Sequence, residues 1–367
     1  MWMLLFMILP LLGMAYIAWH VWTLLPVATV WKLLLIAAIA GSFLILFLNF
    51  GRRFDGLPLS VAQTCYEIGT SSIFIMLYLV LLFLVLDLGR LFHLIPRPWL
   101  YQNGWTSAAI VIFMIAVFVY GNIKYNNKVR VPLELTTDKP LPRDYTIVMV
   151  SDLHLGYHNP RKELARWVDM INGEHPDFIL IAGDIIDGSM RPLMEEHMAD
   201  EFHRLTAPVY ACLGNHEYFS GNAQAQQFYH DASIRLLIDE AAVIDSSIVI
   251  IGRDDRMNIR RKSVADLNHS TFHTPHSTFS ILLDHQPYHL DRAEKAGIDF
   301  QFSGHTHRGQ VWPISWITDH VYECSWGSHQ RGRTRYYISS GLGIWGGKFR
   351  IGTQSEYVVA TLRSSFR

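Results

Sequence analysis

Charge is scarce in this chain, and the scarcity is local. Charged residues make up 17% of 367, and residues 1–123 hold only eight of the sixty-three: Lys32, Arg52, Arg53, Asp55, Glu67, Asp87, Arg90 and Arg97. A step of that size marks a change of solvent, from lipid to water. Cysteine is scarce too, with only Cys65, Cys212 and Cys324. They have no metal-ligand spacing, which excludes a disulfide framework and a thiolate zinc site. An excess of either charge is also missing: the net charge of −1 removes any broad electrostatic case for nucleic acid, and none is expected as a partner.

Long apolar runs and histidine are plentiful. Four runs, Trp2–Trp19, Val27–Phe50, Ile68–Leu88 and Trp105–Gly121, approach or exceed the roughly 20 residues that cross a bilayer. Pro10 and Gly13 in the first run are tolerated in membrane helices. A cleaved signal peptide is disfavoured, because the first run lacks a basic leader and three more runs follow. Trp99, Tyr101 and Trp105 sit where amphipathic rings settle at headgroups. Lys32 is expected to snorkel outward, and Asp87 to pair with Arg90 at the interface. With four spans, Arg52, Arg53, Lys124, Lys128 and Arg130 share one side against Lys32, Arg90 and Arg97, so the soluble part is expected in the cytosol. Residues 1–123 read as a four-helix transmembrane segment, 124–144 as a linker and lead-in strand, and 145–367 as a soluble domain.

In the soluble part, short apolar strands alternate with helices. Ile147–Val150, Phe178–Ile181, Val209–Leu213, Ile281–Leu283 and Phe300–Phe302 read as strands. Helices are expected over Lys162–Asn172, Met194–Leu205 and Pro287–Gly297. Uninterrupted apolar strands of this kind predict an α/β fold with a mostly parallel sheet covered on both faces. Sites in such folds gather at the carboxyl ends of strands.

The polar residues sit at those ends. After successive strands come Asp152-Leu153-His154, Gly183-Asp184-Ile185-Ile186-Asp187, Gly214-Asn215-His216-Glu217, His285, and Gly304-His305-Thr306-His307. Carboxylate, imidazole and carboxamide without thiolate suit Mn, Fe or Zn in a hydrolytic site. The donors are too many for one tetrahedral ion, and two divalent ions would use them. Alternation just past a strand would aim Asp152 and His154 at one ion. The other soluble histidines, among them His273 and His276, have no motif partner and read as surface or local groups, as does His158, for which lining the cleft just behind Asp152-Leu153-His154 is the other option. Lys348 and Arg350, beyond the glycine-rich Gly341–Gly347, read as a solvated basic strand with substrate phosphate as the other option.

With its five blocks in order, the series resembles the calcineurin-like metallophosphoesterase superfamily over residues 145–362. The tail from Ile338 to Leu362 is similar to its membrane-anchored bacterial branch. The resemblance implies a two-sheet sandwich flanked by helices. It implies that Asp152, His154 and His307 hold one metal, that Asn215, His285 and His305 hold the other, and that Asp184 bridges both. His216 would contact the scissile phosphate and protonate the leaving oxygen, and Asp187 would orient His216. A metal-bridging hydroxide would attack phosphorus in line. A membrane-anchored hydrolase of a phosphate ester or diphosphate follows, with a lipid-linked substrate favoured by the anchor. The alternatives are an esterase for a soluble nucleotide with the helices as anchor only, and a non-catalytic membrane scaffold.

Overall fold

The computed structural model describes residues 2–49, 53–270 and 278–365, so Phe50, Arg52, His273 and His276 lie outside the described residues. The chain divides into two compact units. One comprises Met1–Ile123 with Gly346–Phe349, and the other Lys124–Trp345 with Arg350–Arg367.

The first unit is helical: α1 (Trp2–Leu24), α2 (Thr29–Asn49), α3 (Leu59–Leu91) and α4 (Gly104–Asn126). Three stretches, Thr29–Leu48, Leu59–Leu91 and Gly104–Asn126, are long and apolar enough to cross a membrane, whereas α1 offers a shorter apolar helix over Ile8–Leu24. Among the described residues, three helices therefore meet the length criterion for a span, where four were expected. Ile17, Val21, Phe43, Met76 and Phe83 pack inside, while Leu33, Leu44 and Phe113 face outward, as lipid solvent permits.

Two expectations in this unit change. Lys32 does not snorkel: it is buried, with Nζ donating to the Trp22 carbonyl at 2.7 Å. Asp87 is held not by Arg90 but by α1, accepting from Tyr16 Oη at 2.6 Å and lying 3.1 Å from His20 Nε2. A polar group among apolar helices takes whatever donor is nearest in space, and these come from about 70 residues away in sequence.

The second unit contains two six-stranded sheets. The first has the order β1 (Lys128–Thr137), β12 (Ser355–Ser364), β2 (Tyr145–Val150), β3 (Phe178–Ala182), β4 (Val209–Cys212), β5 (Arg235–Leu236). The second runs β10 (Gly327–Arg331), β11 (Thr334–Ile338), β9 (Phe300–Ser303), β8 (Phe279–Leu283), β7 (Ile248–Gly252), β6 (Glu240–Ile244). The single covered sheet read from strand composition is thus replaced by the sandwich that the family resemblance implied. β2 to β5 are parallel, as are β7, β8, β9 and β11; antiparallel pairs join β12 to β2, β6 to β7 and β10 to β11.

Period-two alternation explains how each strand serves two cores. Ile147, Met149, Phe178 and Leu180 face Ile250, Ile281, Phe300 and Phe302 between the sheets. Their neighbours Val148, Val150, Ile179 and Ile181 face the other way, onto Leu164, Trp167, Val168 and Ile171 of α5 (Arg161–Asn172). On the outer face of the second sheet, Val249, Ile251 and Leu282 pack under Leu290, Ala293 and Ile298. Two helices are shorter than expected. The Met194–Leu205 stretch is two pieces, Arg191–Glu195 and Ala199–Phe202, and the Pro287–Gly297 helix is confined to Asp291–Ala296.

Candidate metal centre

The parallel strands β2, β3, β8 and β9, together with β4, deliver their following residues to one region. Asp152, His154 and His307 form one group of potential ligands, His154, Asp184 and His216 a second, and Asp184, His285 and His305 a third; within each, the ligating atoms lie within 4.8 Å of one another. His154 and Asp184 are each shared by two groups, so these are parts of one cluster that fits a binuclear divalent-metal centre.

The backbone reaches this geometry by an unexpected route. Asp152, His154, Asp184, His305 and His307 all have positive φ, between 47° and 72°. Left-handed backbone is costly for residues with a Cβ and persists where surrounding structure imposes it, typically at functional sites. Strand-like alternation therefore does not aim Asp152 and His154; successive left-handed turns do. Gly214 is required by proximity: a Cβ there would lie 2.1 Å from Asp184 Oδ1. The His216 N–H donates to that oxygen at 2.9 Å.

The donor atoms ask for cations. His154 Nδ1 lies 3.2 Å from Asp187 Oδ1, which fixes that nitrogen as a donor and turns the Nε2 lone pair inward. There Nε2 meets His307 Nε2 at 3.1 Å and lies 3.8 Å from both Asp152 Oδ1 and Asp184 Oδ2. His285 Nδ1 donates to the Ala182 carbonyl at 2.6 Å, leaving Nε2 3.0 Å from Asp184 Oδ2. Asn215 Oδ1 and His285 Nε2 are buried without a hydrogen-bond partner. Buried polar atoms left in this state are expensive unless an ion takes them, so the donor set fits divalent metal.

Proton affinities in the cluster point the same way. Burial lowers His154, but hydrogen bonds to Asp152 and Asp187 and the charge of Asp184 override it and raise the imidazole to about 10. Burial, with His285 nearby, pushes His305 down to about 4. Burial, with His154 and Arg350 nearby, pushes His307 down to about 3. Burial would raise Asp152 and Asp184, yet the imidazoles around them hold both carboxyls below the usual range. Divalent ions substitute for the protons that such a cluster otherwise shares.

Of the site residues expected from the sequence, Asp152, His154, Asp184, His216, His285, His305 and His307 lie in these groups, Asn215 precedes His216 in the chain, and Asp187 contacts His154; one expected contact differs. His216 Nδ1 hydrogen-bonds the Asp187 main-chain carbonyl, while the Asp187 carboxylate is 3.6 Å from it and nearer to His154.

Three residues support the site in ways that the sequence reading did not assign to them. Glu217, fully buried, accepts from the N–H groups of Gly214 (2.7 Å), Asp184 (3.1 Å) and Ile186 (3.1 Å), tying two ligand-bearing loops together. Asn159 donates to the carbonyls of Leu153 (2.9 Å) and His154 (3.0 Å). Arg350 is no solvated strand residue. It is fully buried, and it donates to the carbonyls of His307 (2.7 Å), Gly343 (3.1 Å) and Ser340. Burial lowers this guanidinium to about 10.

Residues 145–309 match the calcineurin-like phosphoesterase family. An uncharacterized metallophosphoesterase of Campylobacter jejuni is 30% identical over 260 residues, covering 69% of this chain and 68% of its own. A transmembrane protein with metallophosphoesterase domain from Danio rerio is 27% identical over 91% of this chain and 80% of its own, an alignment that takes in most of residues 1–123. The similarity is therefore shared by bacteria and eukaryotes and is not confined to a bacterial branch. Among solved structures, a 5'-nucleotidase precursor from Thermus thermophilus is 14% identical with a TM-score of 0.39; the match covers 60% of this chain and about half, 55%, of that one.

Proposed function

Because the chain belongs to the calcineurin-like phosphoesterases and is a metal-dependent hydrolase of that family, we propose that it cleaves a phosphate ester or diphosphate carried on a lipid. One observation carries the catalytic part: a single buried cluster in which Asp184 and His154 are each shared between ligand groups. In this reading Asp152, His154 and His307 hold one ion, Asn215, His285 and His305 hold the other, and Asp184 serves both. Bound there, the two ions supply the positive charge that activates water and stabilises the phosphoryl oxygens.

The protein's own groups do the rest. The Asp187 carboxylate holds the His154 tautomer, and the Ala182 carbonyl holds that of His285. His216 keeps its Nδ1 proton on the Asp187 carbonyl, which leaves Nε2 for the substrate; once protonated, Nε2 donates to the leaving oxygen. The lipid part rests on the long apolar helices and on the single residue that separates α4 from β1. We place the site on the cytosolic side, where Arg53, Lys124, Lys128 and Arg130 flank the helices.

The test is a substrate panel with full-length, Mn-loaded protein in lipid, run beside Asn215→Ala. Hydrolysis of lipid diphosphates in preference to soluble nucleotides, abolished in the variant, is the expected result. Activity on soluble nucleotides alone, indifferent to lipid, would overturn the lipid part and leave the hydrolase standing.

A further inference from the structure

We infer that the helix Ile314–Val321 rests on the bilayer surface, with its apolar face at the headgroup–acyl boundary. That face is unusual for a domain in water. Trp316, Ile317 and Val321 are 64%, 63% and 55% exposed, and Trp312 just before the helix is 41% exposed. Ile317 and Val321 have the i, i+4 spacing that puts side chains on one stripe of the helix, with Trp316 on the neighbouring row. Trp312 and Trp316 already meet edge to face, with ring centroids 5.3 Å apart. Asp319 is engaged elsewhere, accepting from Ser325 Oγ.

Lipid is the occupant that fits. Two tryptophans with aliphatic neighbours on a short helix are the composition that settles at a membrane interface. Chain connectivity brings such an interface within reach. One residue separates the end of α4 at Asn126 from Lys128 of β1. Farther along, Gly346–Phe349 belongs to the helical unit, where the Phe349 ring packs on Phe118 of α4 at 4.7 Å. Two residues on, Ile351 bridges to Val311 and accepts the Trp312 N–H at 2.7 Å. With two covalent tethers, even weak partitioning acts at high effective concentration.

The helix is also braced against the metal-ligand loop. Gly309, two residues after His307, lets the backbone of Ile314 and Ser315 pass where a Cβ would lie 2.6 Å away. The inference does not depend on the substrate being a lipid.

Photo-crosslinking tests it. Full-length protein carrying p-benzoylphenylalanine at Trp316 or Ile317 is placed one copy per nanodisc of phosphatidylcholine and phosphatidylglycerol. Lipid adducts are expected from both positions, as from Phe113 in α4, and not from exposed Gln226. With the probe moved to Val321, Trp316→Glu combined with Ile317→Glu should cut the adduct yield at least fivefold, with hydrolysis of soluble bis(p-nitrophenyl) phosphate within twofold. Absence of lipid adducts at 316 and 317 while Phe113 reacts, adducts to protein instead, or an unchanged yield in the charged variant would each overturn it.

Discussion

Tyr125 Oη lies 2.7 Å from both Asn159 Oδ1 and Glu163 Oε1, so the last turn of α4 meets the residue that holds the His154 turn. Tyr125→Phe removes the one proton that Asn159 Oδ1 and Glu163 Oε1 share. The expected cost is about 1–2 kcal/mol in unfolding free energy, with a several-fold fall in kcat. Asn159→Ala frees the carbonyls of Leu153 and His154 as well. It should lower metal occupancy and cut kcat at least about tenfold, the order expected for a group that orients a ligand. Denaturation and elemental analysis on the two variants check the order.

The metal centre makes a sharper prediction. Asp184 takes part in two ligand groups and His285 in one. Asp184→Ala should therefore lose both ions and His285→Ala one, read as metal per chain. Chelation of the wild type should abolish activity and lower the thermal midpoint, and adding back divalent metal should restore both. Equal metal loss in the two variants would contradict the shared role of Asp184.

Arg350 tests a different kind of support. Its guanidinium is buried among main-chain carbonyls of Ser340, Gly343 and His307. Arg350→Met keeps the stem and removes the donors, so those carbonyls lose them. The expected destabilisation is about 2–4 kcal/mol, with Arg350→Lys in between because a point charge cannot span several acceptors. Thermal and denaturant midpoints decide it.

These residues mark the limit of what the sequence makes legible. The ligands stand directly after apolar strands, so their signal is local: a β-branched run, then Asp-x-His or Gly-Asp. Arg350, Asn159 and Glu217 act on backbone N–H and C=O groups, and every residue has those. Nothing in composition or spacing says that residue 350 reaches the carbonyl of residue 307. The division into two sheets was hidden from strand composition for a related reason. β4 and β7 are both short and apolar, and only long-range pairing decides that one joins β3 and the other β8. Likewise the contact of His20 with Asp87 joins residues 67 apart, while Arg90 was merely the nearest in sequence.

Glu217 carries the fourth prediction. Its two oxygens accept three backbone N–H groups from two loops. Glu217→Gln keeps the shape but turns one acceptor into a donor facing an N–H. Stability should fall by about 2–3 kcal/mol, the range for a buried, charge-assisted set. Because Asp184 is itself a ligand and Gly214 precedes Asn215, kcat should fall too, and added metal should not restore it. Full rescue by metal would mean that Glu217 acts only through metal affinity.

The last prediction lies away from the metals and concerns pH. Glu201 accepts from Arg161 Nε at 2.8 Å and from Arg204 one turn along. Burial raises its carboxyl, but the bonds to Arg204 and Arg161 outweigh that and hold it below its ordinary value. A carboxyl depressed in the fold binds fewer protons there than in the unfolded chain, so its contribution to stability is fully present above the unfolded pKa. It is lost as pH falls through the folded value. The two arginines are nearly half exposed, which screens the pair and limits the effect to about 0.5–1 kcal/mol at neutral pH. Glu201→Gln should therefore be less stable than wild type at pH 7 and equal to it once the native carboxyl is protonated. Thermal midpoints of the two proteins, measured side by side from pH 7 down to about 3, should converge. A gap that stays constant across that range would assign the effect to packing instead of charge.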